Sequence, residues 1–136
     1  MRMRILLCGL LLSICVVPVM SAQDAVKVDA KHYTVVTDNA QVRILKVHYG
    51  PHEKSVMHSH PDAVAVFLTD STVRFTFPGG KTEDSTVKVG EARYTPRTVH
   101  LPENTSDKDM EVIVIELKSH TSKPSGMKMS DDSMKH

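Results

Sequence analysis

The pattern in this sequence best suited to chemistry is His58-Ser59-His60, with a third histidine at His100. In a β-strand, residues i and i+2 point to the same face, so both imidazoles of the pair can reach one metal ion. Neutral imidazole is a ligand for Fe, Mn, Zn, Ni or Cu, and three such ligands leave positions open for water or a substrate. Taken alone, an HxH pair is the ordinary arrangement of a surface strand; its meaning comes from what surrounds it. His32, His48, His52 and His120 have no comparable spacing and read as strand or surface residues. There is no GxSxG elbow and no phosphate-cradling glycine loop, and Pro78-Gly79-Gly80 reads as a hairpin turn.

The elements that must position these histidines are short and β-rich. Runs are read at His32 to Thr37, Val42 to Tyr49, Ser55 to Ser59, Ala63 to Thr69, Thr72 to Phe77, Ser85 to Val89, Ala92 to Thr95, Thr98 to Leu101 and Met110 to Leu117. Breakers separate them: Asp38-Asn39, Gly50-Pro51, Pro61-Asp62, Asp70-Ser71, Gly90, Pro96 and the stretch from Asn104 to Asp109. Many short strands without a helical period indicate a sandwich or barrel, so the fold class is all-β. Thr72 to Phe77 alternates, placing Val73, Phe75 and Phe77 on one face and Arg74 on the other. The unbroken apolar centre Val112 to Ile115 suits a strand covered on both faces.

The ends of the chain differ from this middle. Residues 1–22 carry Arg2 and Arg4, an apolar run from Ile5 to Val17 and a small-residue end at Ser21-Ala22, the pattern of a secretory signal peptide cleaved after Ala22. The run is shorter than the ~20 residues that span a bilayer, so no stable membrane anchor is expected, and the mature chain is expected in the periplasm or outside the cell. A lipidated Cys15 is disfavoured by the bulky Ile14 before it. Both cysteines leave with the leader, removing any thiolate ligand, thiol nucleophile or disulfide from the exported chain. Losing Arg2 and Arg4 from 17 basic residues leaves 15 against 16 acidic ones, with no basic stripe, which argues against a nucleic-acid surface. Gln23 to Lys31 is expected as a loose arm, 32–118 as the folded domain, and 119–136 as a disordered polar tail. Met127, Met129, Met134 and His136 in that tail also admit a copper-binding reading.

The segment from Gly50 through His58-Ser59-His60 to Val64 resembles the first motif of the cupin superfamily: glycine, a variable stretch, HxH, three or four residues, then glutamate. Gly90, Pro96, His100 and Asn104 resemble the second, and Ala65 to Val89 between them leaves room for two strands and a hairpin. The resemblance covers about Val42 to Leu117 and implies a double-stranded β-helix, or jelly-roll, barrel. It implies His58, His60 and His100 as ligands of a divalent metal, and Gly50, Gly90, Pro96 and Asn104 as framework. It further implies a small-molecule substrate or ligand, with a dioxygenase, isomerase or lyase as the reaction class, and a homodimer formed through an edge strand.

Three departures stand out. Val64 occupies the glutamate position, Thr98, two residues after Pro96, stands where a glycine is usual, and the stretch before His58 is two residues longer than the common form. Three imidazoles without a carboxylate would leave the full charge on the metal. Glu53 is a possible substitute ligand, and a cupin that binds a small molecule without metal is the alternative.

Overall fold

The structure is a computed structural model that describes residues 23–119. The expected leader at 1–22, with Cys8 and Cys15, and the tail from His120 onward lie outside the described residues. A single helical turn, α1 (Ala25–Val28), precedes nine strands: β1 (Tyr33–Asp38), β2 (Val42–Tyr49), β3 (His58–His60), β4 (Ala63–Phe67), β5 (Ser71–Thr76), β6 (Thr82–Val87), β7 (Ala92–Thr95), β8 (Thr98–Asn104) and β9 (Met110–Leu117). None of the described helices is long and apolar enough to cross a membrane.

The strands form two antiparallel sheets, one ordered β1-β2-β9-β4-β7 and the other β3-β8-β5-β6. Only the hairpins β1–β2 and β5–β6 keep sequence neighbours side by side; elsewhere distant strands interleave, β9 between β2 and β4 and β8 between β3 and β5. That interleaving is the wind of a jelly roll, with the core between the two inner faces. The two-residue alternation of β2 shows why: Leu45, Val47 and Tyr49 are buried while Lys46 and His48 are exposed. Val73 of β5 is buried and Phe75 packs against the core, and Arg74 on the opposite face reaches across to Asp84 on β6, Nε to Oδ1 at 2.7 Å. The β5–β6 hairpin turns at Gly79 and Gly80, whose φ of 87° and 88° lie in the left-handed region that favours glycine.

Two expectations change here. β9 is central because it pairs with β2 on one side and β4 on the other. Its apolar run nevertheless divides between faces: Met110 and Val112 are buried, while Ile113 and Ile115 are half-buried on the outer side, flanked by Ile44, Val64 and Val66. The segment Gln23 to Lys31 is folded rather than loose. The Asp24 side chain caps α1 by accepting from the Val26 amide at 3.0 Å, Ala25 is fully buried, and the Gln23 carbonyl accepts from the Ser59 amide at 2.8 Å. Asp24 also pairs with Arg43 of β2, which ties this segment to the barrel wall.

Candidate metal centre

The site begins with the register of β3 against β8. His58 pairs directly with His100, and His60 with Thr98, so the third imidazole comes from the neighbouring strand of the same sheet. His58 and His60, two apart in an extended strand, turn inward together and are both buried. The three side chains bring their ligating nitrogens within 4.8 Å of one another. His58 Nε2 lies 3.1 Å from His60 Nε2. Two nitrogens bound to one ion at ~2.0–2.1 Å are about 2.9 to 3.4 Å apart for angles between 90° and tetrahedral.

The hydrogen-bond partners fix which nitrogen of each ring carries its proton. His60 Nδ1 lies 2.7 Å from Glu116 Oε1, and a carboxylate only accepts, so Nδ1 is the donor and Nε2 is bare. His58 Nδ1 lies 2.8 Å from the Val56 carbonyl, with Ser55 Oγ at 3.1 Å, which assigns the same tautomer. Two lone pairs therefore face one another across 3.1 Å. His100 Nε2 is buried and has no hydrogen-bond partner among the described residues. A cation among these residues would satisfy such nitrogens, and three neutral imidazoles are a donor set that first-row divalent metals accept. Burial lowers the His58 pKa to about 4, helped by the neighbouring charge of His60 when protonated. Burial likewise lowers that of His100 to about 3, with His58 and His60 adding to it. Both rings are thus neutral, as ligands must be.

A chain of buried charges holds the ring of His60. Glu116, 2% exposed, also accepts from Arg43 Nε at 2.5 Å, and Arg43 continues to Asp24. Burial alone would raise the Glu116 pKa, but the hydrogen bonds from His60 and Arg43 outweigh it and hold the carboxyl below its ordinary value. On the other side, Ser55 hydrogen-bonds Asp29, and Asp29 holds His32 Nδ1 at 2.7 Å. His32 stacks on Tyr49 with ring centroids 4.3 Å apart. These partners orient imidazoles and raise their basicity, the usual work of residues one step outside a metal site.

Tyr33 completes the arrangement. Its hydroxyl lies 3.1 Å from His58 Nε2 and 2.8 Å from the Tyr49 hydroxyl. Since His58 Nε2 is bare, Tyr33 donates to it and accepts from Tyr49. Burial raises the Tyr33 pKa well above its ordinary value, so the phenol keeps its proton.

Sequence reasoning had placed Val64 at the position of the missing carboxylate. Instead Ala65 lines the cavity beside the histidines, and Val64 faces outward opposite Tyr94 and Ile115. Inward phase in β4 falls on Ala63, Ala65 and Phe67, because the Pro61-Asp62 turn between β3 and β4 resets the alternation. Either way the position offers no ligand. Glu53 is no substitute: it accepts from the Gly50 amide at 2.8 Å and pairs with Lys31 and His32, and Lys31 chiefly holds its pKa down to about 2. Asn104 is fully buried, its amide donating to the Gly50 carbonyl at 2.9 Å and the Lys108 carbonyl at 2.7 Å, which locks the loop before β3 to the loop before β9.

Tyr33, Glu116, Arg43 and His32 were missed. For two of them a signal was present. Arg43 is in phase with Leu45, Val47 and Tyr49, and Glu116 with Val112 and Val114, so both charges belong to inward faces.

Residues 45–116 match the family described as the cupin domain. A cupin domain from Bordetella pertussis Tohama I superposes with a TM-score of 0.61 at 25% sequence identity, covering 74% of this chain and 99% of that one. A conserved protein with a double-stranded β-helix domain from Klebsiella pneumoniae superposes with a TM-score of 0.52 at 16% identity, over 62% of this chain and 74% of that one, a likeness of fold. No curated protein matches the chain.

Proposed function

As the chain belongs to the cupin domain family, we propose that it is an exported protein that holds a divalent metal on His58, His60 and His100 and acts on a small molecule, as a dioxygenase, isomerase or lyase. The observation that carries the metal is the convergence of three buried imidazoles: two Nε2 atoms 3.1 Å apart, neither carrying a proton in the neutral rings and one accepting from Tyr33, and a buried His100 Nε2 with no partner among the described residues. A bound ion would supply Lewis acidity to an oxygen of the substrate, and iron, manganese or copper would add redox capacity.

The protein's own groups perform the rest. Glu116 and the Val56 carbonyl keep the protons of His60 and His58 on Nδ1, so that both Nε2 atoms remain available. Tyr33 offers a hydroxyl hydrogen at the same point, and Phe75, stacked on His100 with centroids 5.3 Å apart, sets an apolar ring beside the site. The apolar lining of the cavity favours a second reading, capture of a small molecule without chemistry. Export to the periplasm or beyond rests on the leader pattern of residues 1–22, and N-terminal sequencing of protein recovered outside the cytoplasm tests it.

The deciding experiment is elemental analysis of the untagged mature chain beside His58→Ala and His100→Ala. Near-stoichiometric metal in the parent and its loss in both variants is the expected result. Absence of metal after loading, or retention in both variants, would leave the capture reading standing.

A further inference from the structure

The chemistry of the ligand follows from the walls around it. The cavity that reaches His60 and His100 has a volume of about 150 Å³. A cavity of that size and an apolar lining holds roughly one benzene ring. Apolar residues make up most of the wall, among them Val47, Phe67, Val73, Phe75, Met110 and Val112, with Tyr49, Thr95 and Thr98 also lining it. Among the described lining residues, Arg93 is the one with a permanent charge, and its guanidinium is already occupied by Glu91 at 2.6 Å, Ser85 Oγ at 2.5 Å and the Thr86 carbonyl at 3.0 Å. A second charged group placed among those six apolar side chains would lose its hydration without gaining a partner.

At the histidine end the situation reverses. Three uncharged imidazoles leave the charge of a divalent ion unneutralised, which favours an anionic oxygen there. With His58 Nε2 holding an ion, the Tyr33 hydroxyl that now donates to it would be free to donate to a ligand oxygen. Resting on the metal reading above, we propose that the cavity receives a compact apolar molecule with the bulk of about one six-membered ring and a single acidic oxygen (phenol, enol or carboxylic acid) at the histidine end. The same apolar side chains disfavour sugar phosphates, nucleotides and zwitterionic amino acids, which would bring further charge against them.

The test uses the mature full chain loaded with Co(II), whose visible bands report both metal binding and ligation. Acetohydroxamate, benzohydroxamate and glycine hydroxamate share one acidic N–OH head and differ in the tail. Benzohydroxamate is expected to bind at least about tenfold more tightly than acetohydroxamate, because its ring is taken out of water, and glycine hydroxamate no more tightly than acetohydroxamate. Val112→Phe and Ala65→Leu, each filling the cavity from a different strand, should reduce the benzohydroxamate preference to less than about threefold. The Co(II) bands of each variant check its fold, and either variant suffices if the other fails to fold. Equal affinities for the three hydroxamates, or a preference that survives cavity filling, would overturn the proposal while leaving the metal centre intact. If the parent shows no Co(II) bands, the metal reading fails and the proposal falls with it.

Discussion

His60 Nδ1 lies 2.7 Å from Glu116 Oε1, a hydrogen bond that joins the histidine strand of one sheet to the central strand of the other. The bond fixes the tautomer of one imidazole of the proposed metal site and closes a chain of charge running through Arg43 to Asp24.

Glu116→Ala should therefore damage two properties together. It leaves Arg43 and His60 without their shared partner inside the barrel, at a cost of about 2 to 4 kcal/mol in urea unfolding. It also frees the His60 ring, and metal affinity should fall by about 10- to 100-fold. Unchanged affinity would mean that the His60 ring is held by packing instead.

Metal should stabilise the native chain and not the unfolded one. At 100 times the dissociation constant the gain is about 2.7 kcal/mol. For a domain of this size that gain raises Tm by roughly 10 °C or more. Calorimetry with and without saturating Zn(II) measures the shift, and His58→Ala should abolish it.

Acid should unfold the metal-free protein early. The unfolded histidines take protons near pH 6.5, whereas the folded His58 and His100 resist until about 4 and about 3, because burial disfavours their charged forms. Between those limits the unfolded state binds more protons, so stability rises with pH and is lost as pH falls from about 6.5 toward 4. The loss is on the order of a few kcal/mol. Tm in EDTA should drop steadily from pH 7 to pH 4.5, and His100→Phe should flatten that slope. A slope unaltered by the substitution would place the titrating groups elsewhere.

Tyr33→Phe separates donor from ligand. It removes the hydroxyl between Tyr49 and His58 Nε2, costing about 1 to 2 kcal/mol. Metal affinity should stay within about threefold, because the buried Tyr33 phenol keeps its proton and acts as a hydrogen-bond donor rather than a ligand. Isothermal titration with Co(II) reads the result, and a large loss of affinity would make Tyr33 itself a ligand.

Asp24→Ala tests whether the segment before β1 belongs to the barrel. It removes both the cap on α1 and the outer partner of Arg43, and should cost about 1 to 2 kcal/mol. A loose arm would show no change in thermal unfolding.

Much of this was legible in the residues. The period-two alternation in β2 and β5, and the turn residues between runs, were enough to place nine short strands and an all-β fold, because alternation and backbone-restricted turns are local properties. The same rule put His58 and His60 on one face. Boundaries drifted at two places: β8 runs on through Pro102 to Asn104, and β3 starts only at His58, since Ser55 to Met57 approach it as irregular chain.

The amino-acid order by itself determined the ligand types, the absence of a carboxylate at Val64 and at Ala65, and which charged residues share phase with buried ones. Tertiary structure decided everything that depends on pairing between distant strands. His100 meets His58 only through the β3–β8 register. Arg43 lies opposite Glu116 only because β9 inserts beside β2. Which of Val64 and Ala65 faces the cavity turns on one bend at Pro61-Asp62 that resets the alternation. A strand's alternation says which residues share a face, but not which partner that face meets. Partner and register are set by burying all the inward faces at once, a property of the closed barrel rather than of any segment.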